Sequence, residues 1–288
     1  MEVKKICCLG AGAMGAQIAQ LAATSGYDVS ILDIEDRFVQ AGLNSIKKTL
    51  QRQFVEKEKM TQDEADAVMG KIKGTTDIKE AVQGVQMVIE SIPEDLDLKQ
   101  RTFKELDEIC APETILASNT SSFMVTQIGI QAKRQDKVIG MHFFNPVARM
   151  KLLEVIRGIK TSDDTFETAK EVGLKMGREP IAVQDSPAFV ANRLLHVLHC
   201  EAVKMLEEGI ASVEDIDKAC TLGLGHSAGP FLSVDFTNAM GIAVELGDYL
   251  GVMLGERYRV SPLVRKKAMA GETGMAAGKG WYDYTQKK

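Results

Sequence analysis

The sequence predicts an α/β chain, a mostly parallel sheet with helices between its strands, followed by a smaller all-helical unit. Two observations carry this. Short β-rich runs alternate with helical stretches up to Asp185, the pattern of βαβ units; beyond Asp185 the strand-like runs stop and helices with short connections take over. The strand runs are Lys5–Leu9, Asp28–Asp33, Gln86–Ile92, Thr114–Ser118 and Lys137–Phe143, with Leu152–Ile156 and Pro180–Val183 as a further pair. Between them, Met14–Ser25, Asp36–Glu56, Gln62–Lys71, Leu96–Cys110 and a stretch around Asp164–Met176 read as helices. Gly26 stands where a left-handed residue would end the first of these. Ser186-Pro187 reads as a helix N-cap followed by proline at the first helical position, which places a boundary there. Residues 1–185 then form the sheet domain and 186–288 the helical one, with helices at Ala188–Glu208, Val213–Leu222, Phe231–Leu254 and Pro262–Ala270.

The bulk properties agree. A chain of 288 residues with 45% hydrophobic and 26% charged residues has the composition of an ordinary soluble globular protein, which excludes disordered and fibrous classes. With 35 Lys+Arg against 40 Asp+Glu the net charge is −5, so nothing draws the chain generally to a polyphosphate backbone or an anionic membrane. Neither nucleic acid nor a membrane is an expected partner, and no apolar run approaches the roughly 18–20 residues that span a bilayer. Five cysteines, Cys7, Cys8, Cys110, Cys200 and Cys220, form no C-x-x-C pair. That argues against a disulfide framework or a zinc site and for a reducing cytoplasm. Lys4-Lys5 before the apolar run Ile6–Ala16 imitates a targeting segment, but the glycines within that run have a better explanation.

Gly10-Ala11-Gly12-Ala13-Met14-Gly15 is G-x-G-x-x-G directly after a predicted strand and at the start of a predicted helix. The first glycine permits the tight turn, the second lets the backbone approach a pyrophosphate, and the third lets helix and strand pack closely. The helix N-terminus then offers its N–H groups to the anion. Asp33 closes the second strand roughly 20 residues on, where a carboxylate accepts hydrogen bonds from the adenosine ribose. The expectation is a Rossmann-like domain binding a dinucleotide through Gly10, Gly12, Ala13, Met14, Gly15 and Asp33. A carboxylate at position 33 would repel a 2′-phosphate, so NAD is expected over NADP; Arg37, four residues on, could soften that preference.

Three polar segments close later strands: Glu94 with Lys99, Asn119-Thr120-Ser121-Ser122, and His142-Phe143-Phe144-Asn145-Pro146. Ligands of open parallel sheets bind outside the carboxyl ends of the strands, so these segments share a crevice with the glycine turn. Hydride transfer from a secondary alcohol needs a base for the hydroxyl proton, and histidine suits that task. Among the four histidines only His142 ends a sheet strand; a satisfied histidine at a strand edge is the plainer alternative. Glu154, within Leu152-Leu153-Glu154-Val155-Ile156, is a carboxylate among apolar residues. If buried it demands a partner such as a histidine N–H; if not, it marks an exposed strand face. Ser121 could equally cap a helix. Asn192 falls in the second turn of a predicted helix, where asparagine has no propensity advantage; a polar task or plain solvent exposure would each account for it.

Together the glycine turn, Ser118–Ser122, His142–Pro146, Leu153-Glu154-Val155, Asp185-Ser186-Pro187 with Asn192-Arg193-Leu194, and Gly278-Lys279-Gly280 with Tyr282 resemble the 3-hydroxyacyl-CoA dehydrogenase family, and most of all its bacterial 3-hydroxybutyryl-CoA members. The resemblance runs nearly from end to end. It implies an oxidoreductase of L-(3S)-3-hydroxyacyl-CoA with a nucleotide-binding domain and a helical domain that pairs two copies into a homodimer. His142 matches the catalytic histidine, Glu154 its paired carboxylate, Ser121 the residue at the reacting oxygen, and Asn192 the helical-domain group at the substrate. Asp33, Glu94, Lys99 and Asn119 match cofactor-side positions. The family commonly holds the CoA phosphates with lysines after the second strand; here Thr49, Arg52, Lys57 and Lys59 occupy that region, interrupted by Glu56 and Glu58, and Arg52 and Lys57 are the expected contacts. His226, Ser227, Ala228 and Thr237-Asn238 depart from the family's pattern. A non-catalytic dinucleotide-binding protein and a dehydrogenase of free 3-hydroxy acids are the competing readings.

Overall fold

Strand β1 (Lys5–Leu9) is apolar on both faces: Ile6, Cys7 and Cys8 have no exposed surface. Such a strand belongs inside a parallel sheet covered by helices on both sides, and that is its place in the computed structural model, which describes residues 1–285. The chain divides into two units, Met1–Phe189 and a second that begins at Val190.

In the first unit β1 leads into α1 (Ala13–Thr24), then β2 (Asp28–Leu32), α2 (Asp36–Leu50), α3 (Gln62–Gly70), β3 (Ile72–Thr75), α4 (Ile78–Ala81), β4 (Met87–Glu90), α5 (Leu96–Ile109), β5 (Ile115–Ser118), α6 (Val125–Ile128), β6 (Val138–Phe143), β7 (Leu152–Arg157), α7 (Asp163–Lys175) and β8 (Glu179–Gln184). The eight strands lie in the order β3-β2-β1-β4-β5-β6-β7-β8. All neighbours are parallel except β6 and β7. The order reverses at β1, so the crevice between the carboxyl ends of β1 and β4 is the ligand position of such sheets. Two apolar clusters pack the sheet on its helices, one including Ile6, Cys8, Ile18, Ile31 and Ile89, the other Cys7, Val88, Phe103, Leu106 and Leu116. The cysteines are buried free thiols, and burial pushes Cys7 up to about 12.

The predicted strands stand within a residue or two of their limits. Strand β3 was not predicted: Ile72-Lys73-Gly74-Thr75 buries only its isoleucine and lies at the sheet's edge, so it has no apolar alternation to read. The helix expected over Asp36–Glu56 is regular only to Leu50 and closes in a wider turn over Gln51–Val55.

The second unit contains α8 (Ala191–Glu207), α9 (Val213–Lys218), α10 (Pro230–Thr237), α11 (Met240–Leu254) and α12 (Pro262–Met269). Three expectations are corrected here. Pro187 does not open α8: Ala188 and Phe189 take left-handed backbone angles (φ 56° and 53°), and the helix starts three residues later at Ala191. Asn192 is therefore the helix's second residue rather than part of its second turn. The single helix expected over Phe231–Leu254 is two, because Asn238 is left-handed (φ 53°) and ends α10. Two buried carboxylates organise this unit. Asp217 accepts from the N–H groups of Phe231 and Leu232 and from the Tyr282 hydroxyl. Asp235 accepts from the N–H groups of Trp281 and Tyr282 and from the Tyr284 hydroxyl. A Cβ on Gly280 would stand 2.1 Å from Asp235 Oδ1, so the Gly278-Lys279-Gly280 motif is what lets the tail approach. Among the described residues, no helix is long and apolar enough to cross a membrane.

Candidate active site

The glycine turn is shaped by two contacts within the protein and by one open face. Gly10 has φ +101°, and a Cβ there would lie 2.7 Å from the carbonyl oxygen of Ser91 at the end of β4; a Cβ on Gly15 would lie 1.8 Å from the carbonyl oxygen of Gly10. Both positions need glycine for the fold itself. Gly12 does not: a Cβ there meets nothing within 4 Å. It is the N-cap of α1, with no side-chain capping bond and no acidic residue in the helix's first turn, where Ala13, Met14 and Gly15 stand. A backbone cradle open to one side, with a positive helix end behind it, suits a pyrophosphate. Asp33 is fixed beside it: Oδ2 accepts from Ala11 N–H at 2.7 Å and Oδ1 from Ile34 N–H at 2.8 Å. The residues present fit a dinucleotide.

Next in the crevice is a chain of polar contacts beneath β4 and β5. Glu90 has no exposed surface; its carboxylate takes Lys99 Nζ at 2.7 Å, Ser118 Oγ at 2.7 Å and Ile92 N–H at 2.8 Å. Lys99 also reaches Glu94 Oε2 at 3.2 Å. Glu94 Oε1 in turn accepts from Thr120 Oγ1 at 2.5 Å and from the N–H groups of Ser121 and Ser122. Lys99 is thus 1% exposed and paired with two carboxylates, and it bears on the crevice through Glu94. Ser121 is no helix cap, since Met124 holds that position for α6. Its Oγ is 3.3 Å from Ser122 Oγ.

Across β5, the Asn119 side-chain oxygen accepts from Phe143 N–H at 2.8 Å, fixing the end of β6. There the antiparallel β6–β7 register sets His142 directly opposite Glu154. Directly opposed side chains of antiparallel strands come within reach on one face. Here His142 Nδ1 lies 2.7 Å from Glu154 Oε2, with His142 5% exposed and Glu154 fully buried. The alternative of an exposed strand face for Glu154 falls. With a carboxylate as partner Nδ1 carries the proton, so Nε2 presents its lone pair. The Phe144 ring packs against the imidazole at 4.4 Å and Phe189 at 5.9 Å, so the dyad sits in apolar surroundings.

Sequence reasoning missed two residues. Glu90 carries the same signal as Glu154, a carboxylate ending an apolar strand run, Met87-Val88-Ile89-Glu90. Gln17 left no local signal: from α1, its Nε2 donates to Asn145 Oδ1 at 3.1 Å and its Oε1 accepts from Val147 N–H at 2.9 Å. The helix behind the glycine turn thereby holds the loop that follows His142. Arg52 and Lys57 are exposed beyond α2, Lys57 bonding Gln53 at 2.9 Å, and Asn192 lies in the second unit.

Two family descriptions match the chain: 3-hydroxyacyl-CoA dehydrogenase, NAD binding domain, over residues 5–186, and 3-hydroxyacyl-CoA dehydrogenase, C-terminal domain, over residues 189–284. A probable 3-hydroxybutyryl-CoA dehydrogenase of Bacillus subtilis is 42% identical over 288 residues, covering 100% of this chain and 99% of its own. The 3-hydroxybutyryl-CoA dehydrogenase of Clostridioides difficile is 37% identical, covering 98% and 100%. Among solved structures, the (S)-3-hydroxybutyryl-CoA dehydrogenase of Ralstonia eutropha superposes with a TM-score of 0.94 at 37% identity, covering 99% and 100%.

Proposed function

The chain belongs to the 3-hydroxyacyl-CoA dehydrogenase family, and from that premise we propose that it interconverts L-(3S)-3-hydroxybutyryl-CoA and acetoacetyl-CoA. The observation that carries this is the buried His142–Glu154 pair at the carboxyl end of β6, on the sheet edge that also holds the glycine turn. A bound nicotinamide dinucleotide supplies the acceptor for the hydride that leaves the carbinol carbon, and in reverse the donor. His142 Nε2 takes the hydroxyl proton in oxidation and returns it in reduction. Glu154 holds the ring in the required tautomer and balances the imidazolium that forms. Ser121 holds the reacting oxygen, and Asn192 serves the substrate from the helical unit. The apolar walls formed by Phe144 and Phe189 keep water from competing for the proton. Asp33 selects NAD over NADP, with Glu94, Lys99 and Asn119 on the cofactor side. Arg52 and Lys57 meet the CoA phosphates. A cytoplasmic homodimer accompanies this reading, supported by exposed apolar side chains of the helical unit such as Leu194, Phe236, Ile242 and Val252.

The test is the fall in NADH absorbance with acetoacetyl-CoA, repeated with free acetoacetate and with longer 3-oxoacyl thioesters. Turnover is expected with the thioester and not with the free acid. Equal rates on the two would move the chain to free hydroxy acids, and NADH binding without turnover of any would make it a non-catalytic binder.

A further inference from the structure

The turn between β2 and α2 holds charges that the reaction does not use. Asp33, Glu35 and Asp36 precede one cation, Arg37, in the sequence. In dinucleotide crevices an acid at this place accepts from the ribose 2′-hydroxyl, whereas a neighbouring arginine accommodates a 2′-phosphate. Arg37 is a residue of the second kind beside one of the first. Its guanidinium, however, is already taken. Nε lies 2.9 Å from Glu35 Oε2 and Nη2 donates to Glu35 Oε1 at 2.9 Å, while the same group sits 4.6 Å over the Phe38 ring. Two parallel N–H···O bonds to one carboxylate are the arrangement that a phosphate would otherwise claim. Asp33 takes no part, its two oxygens being held by Ala11 and Ile34 N–H groups.

We propose that Glu35 is a specificity-determining residue: its carboxylate occupies the fork of Arg37 that a 2′-phosphate would need, and so keeps the crevice selective for the unphosphorylated dinucleotide. The proposal rests on the dinucleotide chemistry assigned above to the same site. The side chains of Arg37 and Glu35 are 71% and 49% exposed. A surface pair of this kind contributes little to stability, so removing it tests selectivity without unfolding the chain.

Binding of NADH and NADPH is titrated through the fluorescence of the reduced nicotinamide, using the full chain. The variants are Asp33→Ala, Asp33→Ala with Glu35→Gln, and these two together with Arg37→Ala, each checked by thermal melting. Against the Asp33→Ala background, Glu35→Gln should tighten NADPH about tenfold, the scale of one charge-assisted bidentate contact, and change NADH less than about twofold. Adding Arg37→Ala should abolish the gain. No gain from Glu35→Gln, or a gain that survives without Arg37, would overturn the proposal. An unaltered chain that bound neither nucleotide would instead remove the dinucleotide assignment beneath it, which the first titration distinguishes.

Discussion

The first unit buries His142 and the second buries His196 and His199, and His142 and His199 differ in what stands opposite the ring. His142 faces the Glu154 carboxylate at 2.7 Å. His199, on α8, accepts at Nε2 a hydrogen bond of 3.1 Å from the Trp281 indole, meets the Phe231 ring edge-on at 6.2 Å, and has no partner at its buried Nδ1 among the described residues. Burial, with His196 nearby adding to it, pushes His199 down to about 4. It stays neutral and works as packing. Burial by itself penalises an imidazolium, and a carboxylate within hydrogen-bond reach reverses the penalty. The antiparallel register gives His142 an anion as its partner, whereas His199 has an indole in that place.

Replacing each residue tests this contrast. His142→Asn should lower turnover by about 10²–10⁴-fold, the span for loss of a general acid–base, and leave NADH binding intact. Near-normal turnover of acetoacetyl-CoA by this variant would remove His142 from the chemistry and make the two histidines equivalent. His199 should instead show in stability. Its unfolded value is about 6.5 and its folded value about 4, so between these pH values the unfolded chain holds a proton that the native state does not. Stability is therefore unaffected by this group above pH 6.5 and falls as pH drops from 6.5 towards 4, by at most about 3 kcal/mol. His199→Gln keeps an acceptor for the indole and removes the titration. Urea melts of this variant at pH 7 and pH 5 should differ less than those of the parent chain; parallel losses would locate the acid sensitivity elsewhere. Glu154→Gln keeps an acceptor for Nδ1–H and removes only the charge, and should cost turnover about 10–100-fold. Turnover within about twofold of the parent would reduce the dyad to a structural contact.

The contrast also marks how much could be read beforehand. His142 and Glu154 stood out because one ends a strand and the other interrupts an apolar run; their pairing then follows from one antiparallel register. Glu90 ends an equally apolar run, and its partners Lys99 and Ser118 were in view, so that contact was legible but unread. Gln17 was not legible, because its partners Asn145 and Val147 are remote in sequence and an exposed-looking glutamine in a helix has no local signature. The backbone at Ala188 and Phe189 was hidden for the same reason. Asp185 turns its carboxylate onto the N–H groups of Val125 and Thr126, and Ala188 N–H donates to the Ser122 carbonyl, so distant partners set the chain's course where a local Ser-Pro signal points to a helix.

The glycine turn divides in the same way into packing and function, and gives the smallest predicted effect. Gly15 serves the fold: a methyl there would overlap the Gly10 carbonyl, and Gly15→Ala should destabilise the chain by about 1–3 kcal/mol or more as helix and strand are pushed apart. Gly12 has open space before it and ordinary backbone angles, φ −68° and ψ −169°. If the fold alone had shaped this turn, Gly12→Ala would be silent in every measurement. If the space is kept for a pyrophosphate, the added methyl narrows the backbone's approach to it. Gly12→Ala should then weaken NADH about tenfold, on the order of one good hydrogen bond to a charged group, while the melting temperature stays that of the parent. Fluorescence titration beside a thermal melt reads both. Unweakened NADH binding would mean that the open face of the turn is not where the phosphates lie.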